Sequence, residues 1–159
     1  MKSAYLGGIL ALVIGLLGLG SIVFILVGTG SDTPVDLDPN IEIVIIAGEL
    51  GNSFGFKTDT ESVITSPGVE INLKEGDIVR IIFRNEGEVP HSFAITGQPE
   101  STALILFKSD IGGPSSPIQP GSKSETIIIL DKPGTYYYVC TVPGHTTLGM
   151  YGTLIVESV

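Results

Sequence analysis

Short runs of β-branched residues, separated by turns that contain glycine or proline, dominate the sequence after residue 40. Such runs are typical of strands, and around eight of them at this spacing favour two packed antiparallel sheets. Residues after position 30 show no helical period of useful length, so we predict an all-β Greek-key sandwich. The predicted strands cover residues 41–47, 61–65, 69–73, 77–84, 91–96, 103–107, 125–130, 135–140 and 152–157.

The first part of the chain is strongly apolar. Residues 3–31 include no charged side chain, and the run 4–27 is long enough to span a bilayer. A signal-peptide core is usually about 7–15 residues long, so this longer run favours a retained transmembrane helix over a cleaved signal. We expect residues 1–28 to be a single-pass anchor in the cell membrane, with secretion after signal cleavage as the alternative. Lys2 precedes the run and acidic residues follow it, which favours an extracytoplasmic domain.

Composition divides the rest of the chain. Residues 29–40 are rich in Gly, Ser, Thr, Pro and Asp and are typical of a linker, and residues 41–159 form one predicted domain. Within this domain, residues 109–124 are predicted to form a long surface connection.

The chain has 8 Lys and Arg against 17 Asp and Glu, a net charge of −9. This charge argues against nucleic acid as a partner and suits either a basic redox partner or a solubilising surface.

The soft metal-binding side chains fall into one small set. The chain has one Cys, two His and two Met, and one of the methionines is Met1. Cys140, His145 and Met150 are spaced Cys-x4-His-x4-Met, and His91 lies upstream. Two imidazoles, one thiolate and a weak thioether are the ligands of blue-copper electron-transfer sites, which hold both Cu(I) and Cu(II). We therefore predict that these four residues bind one copper ion.

Local sequence explains how these ligands can meet. Cys140 ends a predicted strand, and the segment after it contains one Pro and two Gly before Met150. Such a segment loops tightly enough to bring His145 and Met150 back to the Cys140 thiol. Pro90 restricts the backbone just before His91 and makes a rigid support for that imidazole.

Other chemistries fit the same residues less well. Structural zinc sites commonly use several Cys, catalytic zinc keeps a position for water, and Met is a poor zinc ligand. An iron–sulfur cluster or a binuclear copper centre needs more thiolates. A copper oxidase or reductase needs further histidines, and a cysteine hydrolase built on Cys140 leaves Met150 without a purpose. The sequence therefore predicts a protein that is not an enzyme. Separate structural roles for the four residues remain the plain alternative.

Two motifs resemble those of the cupredoxins, the type I or blue copper proteins. The segment Asn85-x-Gly-x-x-Pro-His-Ser-Phe93 is similar to the one that carries the first His ligand in plastocyanin-like members. Cys-x4-His-x4-Met, with Pro-Gly-His and Gly-Met inside it, is closer to sulfocyanin and rusticyanin. The resemblance covers about residues 41–159 and implies an eight-stranded sandwich. It also implies His91, Cys140 and His145 as equatorial ligands and Met150 as the axial ligand.

The resemblance further implies roles around the ligands. Ser92 directly follows the first His, and by analogy with rusticyanin it hydrogen-bonds near the Cys sulfur and helps to set the potential. Pro90 is the other residue that we expect to support the ligands. Val142, Pro143 and Leu148 flank His145, and we expect them to form an apolar surface for a redox partner.

These features predict a mononuclear copper protein that carries single electrons between extracytoplasmic partners in a respiratory or related chain. The alternatives are an extracytoplasmic copper carrier, an accessory protein for a copper oxidase, and an adhesive sandwich without metal. Reversible one-electron cycling without copper release separates a shuttle from a carrier.

Overall fold

The computed structural model describes residues 37–159. The predicted membrane helix and most of the predicted linker lie outside this range, and within it no helix is long and apolar enough to cross a membrane. Eight strands and one short 3₁₀ helix follow in chain order: β1 Ile41–Leu50, β2 Ser53–Thr58, β3 Gly68–Lys74, β4 Ile78–Asn85, β5 Ala94–Thr96, β6 Lys123–Ile129, β7 Gly134–Val139, the 3₁₀ helix Thr146–Leu148 and β8 Tyr151–Glu157.

The strands form two four-stranded sheets, ordered β2-β1-β4-β6 and β3-β8-β7-β5. The all-β two-sheet prediction is confirmed for the described residues, but the expectation of purely antiparallel sheets is wrong. β1 pairs with β4 in parallel, and β3 pairs with β8 in parallel. Parallel neighbouring strands need a crossover connection. Between β1 and β4 the chain makes this crossover through β3, which belongs to the other sheet.

Alternating burial along the strands explains the two-layer packing. In β4 the side chains of Val79, Ile81 and Phe83 are buried and those between them are more exposed. β8 shows the same period of two, with Leu154 and Val156 turned inward. Because successive side chains of a strand point to opposite faces, each sheet presents one apolar face, and the two faces pack together as a single core.

Two of the predicted strands are wrong. Within residues 37–159, Thr65 pairs with Phe56 at a single isolated bridge, because β3 begins at Gly68 and leaves no length for a ladder. In the run 103–107, Ile105 likewise makes one bridge. Phe107 and Lys108 have φ angles of 56° and 52°, and this left-handed backbone ends the extended conformation. The prediction of a surface connection over residues 109–124 is wrong in part, because Ser109 and Ile111 are buried and β6 begins at Lys123.

Sequence reasoning also missed β2, which forms a hairpin with β1. Leu50 pairs with Ser53, so Gly51 and Asn52 make a two-residue turn. Gly51 has a φ of 60°, a conformation that glycine adopts without steric cost. A Gly-Asn pair between two extended runs is a known hairpin signal, and it could have revealed this strand.

Candidate metal centre

The loop after β7 is closed by its own backbone. The Cys140 amide donates to the Met150 carbonyl at 3.2 Å, and the Met150 amide donates to the His145 carbonyl at 3.0 Å. The His145 amide in turn donates to the Val142 carbonyl at 3.2 Å. A 3₁₀ turn over Thr146–Leu148 takes up the chain between His145 and Met150. The predicted loop therefore forms and brings its two ends together.

The segment that carries His91 is held by distant residues. Its amide donates to the Ile118 carbonyl at 3.1 Å, and its carbonyl accepts from the Ile118 amide at 2.7 Å. The buried Asn85 side chain donates to the Val89 and Ile118 carbonyls, both at 2.8 Å. It also accepts from the Gly87 amide at 2.9 Å. These contacts hold the His91 side chain at 0 % exposure.

The two segments meet at the side chains of His91, Cys140 and His145. One possible ligand atom from each of the three lies within 4.8 Å of the others. The Nδ1 atoms of the two histidines are 3.2 Å apart, and the Cys140 Sγ lies 3.5 Å from the His145 Nδ1. Met150 is fully buried in the same core cluster as Cys140. Its assignment as the fourth ligand stays a prediction.

The chemistry of these donors fits copper. One thiol sulfur and two imidazole nitrogens converge inside a largely apolar core, where they can bind a metal ion with their lone pairs. This combination of soft sulfur and imidazole is the donor set that blue-copper sites use. His91 and Cys140 are fully buried and His145 is half-buried, so the protein itself limits the access of water.

Comparisons with known proteins decide the family. A family model described as multicopper oxidase matches residues 64–159. The chain is a cupredoxin. Rusticyanin from Acidithiobacillus ferridurans is 32% identical over 108 residues, which are 65% of this chain and 58% of that protein. The structure of rusticyanin from Thiobacillus ferrooxidans is 25% identical with a TM-score of 0.55, over 76% of this chain and 79% of that one.

A longer protein is also related. A probable nitrite reductase-hydroxylamine oxidoreductase fusion protein from Kuenenia stuttgartiensis is 33% identical over 140 residues, which are 82% of this chain and 16% of that protein. This chain spans 58% of the length of the rusticyanin from Acidithiobacillus ferridurans. As a cupredoxin with a His-Cys-His cluster, it binds a single copper ion.

Burial controls the protonation of the copper-binding cluster. It lowers the pKa of His91, although the hydrogen bond and the charge of Glu49 oppose the shift. Burial also lowers the pKa of His145, and the nearby His91 adds to this effect. Both rings are therefore neutral near neutral pH and able to coordinate. Burial raises the pKa of the Cys140 thiol against the hydrogen bonds from Ser92, so a bound metal ion must displace its proton.

Ser92 contacts the Cys140 sulfur, as the resemblance implied. Its amide nitrogen lies 3.4 Å from the Cys140 Sγ, and its hydroxyl oxygen lies 3.6 Å from the same sulfur. The hydroxyl also accepts from the Thr141 amide at 2.8 Å and lies 2.8 Å from the Thr141 Oγ1. Ser92 thus ties the His91 segment to the Cys140 loop. The supporting role of Pro90 stays a prediction.

The β1–β2 hairpin adds two residues that sequence reasoning missed. Phe54 stacks on the His145 ring, with centroids 4.1 Å apart and an interplanar angle of 22°. It also meets the His91 ring edge-on, with centroids 5.5 Å apart. The Oε1 atom of Glu49 lies 3.3 Å from the His91 Nε2. The hairpin therefore forms one wall of the copper site.

The residues predicted to meet a partner lie in the same loop as His145. Leu148 is 44% exposed and Pro143 is exposed, whereas Val142 is half-buried and packs against the core. His145 is half-buried, and His91 and Cys140 are fully buried. Among these three, His145 is therefore the side chain nearest to solvent.

Proposed function

We propose that this cupredoxin carries single electrons between redox proteins outside the cytoplasm. The convergence of His91, Cys140 and His145 within 4.8 Å supports this function most directly. A bound copper ion supplies a one-electron couple between Cu(I) and Cu(II). The residues of the chain supply the frame that holds the donor atoms, the exclusion of water and a contact surface.

The frame restricts movement of the donor atoms. Ser92 bonds to the Cys140 loop, and Ile118 holds the His91 backbone through two hydrogen bonds. Phe54 packs on the His145 ring and limits its rotation. Donors that are fixed in this way change little between oxidation states, and this property favours rapid electron transfer over substrate chemistry. Both histidines of the chain belong to this one cluster, so we also propose that the chain is not itself an enzyme.

Copper loading of wild type and Cys140→Ser tests the proposal. We expect the wild-type protein to show intense visible absorption from a copper-bound thiolate and the electron paramagnetic resonance of one Cu(II). Cys140→Ser loses this absorption because it lacks the only thiol. We also expect reversible one-electron voltammetry of the wild type, with no copper passing to an added Cu(I) chelator. A colourless wild type contradicts the proposal, and copper release on reduction supports a carrier instead.

We propose that a partner approaches the copper site over Val142, Pro143 and Leu148. Electron self-exchange between two copies, measured by NMR line broadening, tests this surface without a known partner. Leu148→Asp places a charge beside His145 in a chain of net charge −9, and we expect self-exchange to slow at least tenfold. Leu104→Asp, at a position that is 79% exposed on the loop after β5, is the matched control. Equal rates for the two variants contradict the proposed surface.

We propose that residues 1–28 hold the protein in the cell membrane with the copper domain on the extracytoplasmic side. The apolar run 4–27 and the acidic segment after it support this location. Fractionation of cells that express the full chain or residues 29–159 tests it. We expect only the full chain in the membrane fraction, and an N-terminus of the mature protein near position 28 contradicts retention of the anchor.

A further inference from the structure

The carboxylate of Glu49 lies behind the His91 ring. Its Oε2 atom accepts from the Glu88 amide at 2.9 Å, and its Oε1 atom accepts from the Val89 amide at 3.2 Å. The same Oε1 lies 3.3 Å from the His91 Nε2. The Glu49 side chain is 28% exposed and the His91 side chain is 0% exposed, so solvent screens this contact only in part.

The contact selects one tautomer of His91. The amides of Glu88 and Val89 both donate to the Glu49 carboxylate, and such hydrogen bonds favour its ionised form. An ionised carboxylate only accepts hydrogen bonds, so the Nε2 that faces it carries the proton. A neutral imidazole has one N–H, which leaves the lone pair on Nδ1. That Nδ1 faces the His145 Nδ1 at 3.2 Å.

We propose that Glu49 is a positioning residue of the copper centre. Its carboxylate holds the His91 ring with Nδ1 available to copper, and its negative charge favours Cu(II) over Cu(I), which lowers the reduction potential. A carboxylate that accepts from a ligating histidine makes the imidazole more basic and orients it. This role of Glu49 rests on the proposed function, because a reduction potential matters only if the site cycles between oxidation states.

A purely structural role for Glu49 has a different signature. The Glu49 carboxylate also accepts from two amides of the turn 86–89. It packs so closely on this turn that a Cβ on Gly87 would lie 2.6–2.9 Å from its atoms. If Glu49 only held this turn, its loss would lower the stability of the metal-free protein. It would then leave the ratio of Cu(II) to Cu(I) affinity unchanged. The two roles therefore separate when stability, tautomer and potential are measured on the same variants.

Glu49→Gln removes the charge and keeps the size of the side chain, and Glu86→Gln removes a charge from an exposed position on the same turn. We expect Glu49→Gln to weaken Cu(II) binding about 10–100-fold, the range found for such outer contacts. Cu(I) binding changes less, so the potential rises. Each tenfold change in the affinity ratio equals about 59 mV for a one-electron couple. We expect Glu86→Gln to change the ratio less than twofold.

Nitrogen-15 NMR of the His91 ring in the metal-free full chain gives a readout that needs no copper. We expect wild type to show a proton on Nε2, and Glu49→Ala to show a mixture of the two tautomers. Glu49→Asp keeps the charge on a shorter side chain and should restore most of the potential but not the single tautomer.

Three results overturn the inference: an unchanged affinity ratio in Glu49→Gln, an equal change in Glu86→Gln, or an unchanged tautomer in Glu49→Ala. A wild-type protein that binds copper but does not cycle reversibly contradicts the proposed function. The tautomer result still decides the role of Glu49 in that case.

Discussion

The two segments that meet at the copper site are built in different ways. The loop from Cys140 to Met150 closes through hydrogen bonds among its own residues. His91 depends on Ile118 for its backbone and on Glu49, 42 residues away, for its ring. Hydrogen bonds within the loop therefore fix the conformation of one segment, whereas contacts with distant residues fix that of the other. The local segment holds the half-buried histidine, and the long-range segment holds the fully buried one.

This difference has a consequence for exchange at the site. The half-buried His145 contacts Phe54 on one face and lies beside exposed loop residues. His91 has no exposed surface, and the turn 86–89 and Glu49 enclose it. A small molecule from solvent should therefore replace a missing side chain more readily at position 145 than at position 91.

The largest effect comes from removing either histidine. We expect His145→Gly and His91→Gly to lose the copper-thiolate absorption, because each removes one of three donors. Added imidazole should restore the absorption of His145→Gly at a concentration at least tenfold lower than that needed for His91→Gly. Titration with imidazole, followed by visible absorption, measures the difference.

N-methylimidazole serves as the control, because it binds copper through one nitrogen and cannot donate a hydrogen bond. It should rescue His145→Gly as well as imidazole does. It should rescue His91→Gly less well, because it cannot donate to Glu49. Equal rescue of both variants by both molecules contradicts the contrast between the two segments.

The local segment was the part that sequence reasoning predicted. The spacing of Cys140, His145 and Met150, with Pro and Gly between them, was enough to predict a loop that closes on itself. The contact of Ser92 with the Cys140 sulfur followed from family resemblance. Turn-forming residues act over a few positions, so their effect is visible in a short stretch of sequence.

The contacts of the long-range segment are not predictable from a short stretch of sequence. Glu49 follows a run of apolar residues, and nothing in its spacing relates it to a histidine 42 residues later. Phe54 lies on a strand that was missed, so its stacking on His145 was missed as well. These contacts depend on the parallel pairing of β1 with β4, which places the end of β1 beside the turn before His91. Pairing of this kind is a property of the whole fold.

Asn85→Ala should disrupt the long-range segment, and we expect a loss of stability of intermediate size. It leaves the Val89 carbonyl and the Gly87 amide without their partner, whereas the Ile118 carbonyl keeps its bond to the His91 amide. A buried polar group without a partner costs about 1–3 kcal/mol, and these two groups are half-buried, so we expect the free energy of unfolding of the metal-free protein to fall by about 2 kcal/mol. Urea denaturation followed by tyrosine fluorescence measures the loss.

Asn72→Ala makes the same substitution at an exposed site, where the side chain donates to the exposed Glu70. We expect this control to change the free energy of unfolding by less than about 0.5 kcal/mol. If the two variants lose similar amounts, the backbone alone holds the turn before His91.

The smallest effects come from the two glycines of the self-closing loop. Gly144 and Gly149 have φ angles of 87° and 89°, so alanine at either position costs about 1–2 kcal/mol in a left-handed conformation. The two sites differ in their surroundings. A Cβ at position 144 would meet no atom of residues 37–159 within 4 Å. One at position 149 would meet the Ser66 hydroxyl, which lies 3.4 Å from the Leu148 carbonyl oxygen.

We therefore expect Gly149→Ala to lose up to about 1 kcal/mol more than Gly144→Ala, the worth of one hydrogen bond. Measuring both variants again with Ser66→Ala gives a double-mutant cycle that isolates the contact. If the excess disappears in that background, the loop depends on the segment before β3 at this one point. If the extra loss of Gly149→Ala persists, its cost arises within the backbone of the loop, and the contact with Ser66 does not contribute.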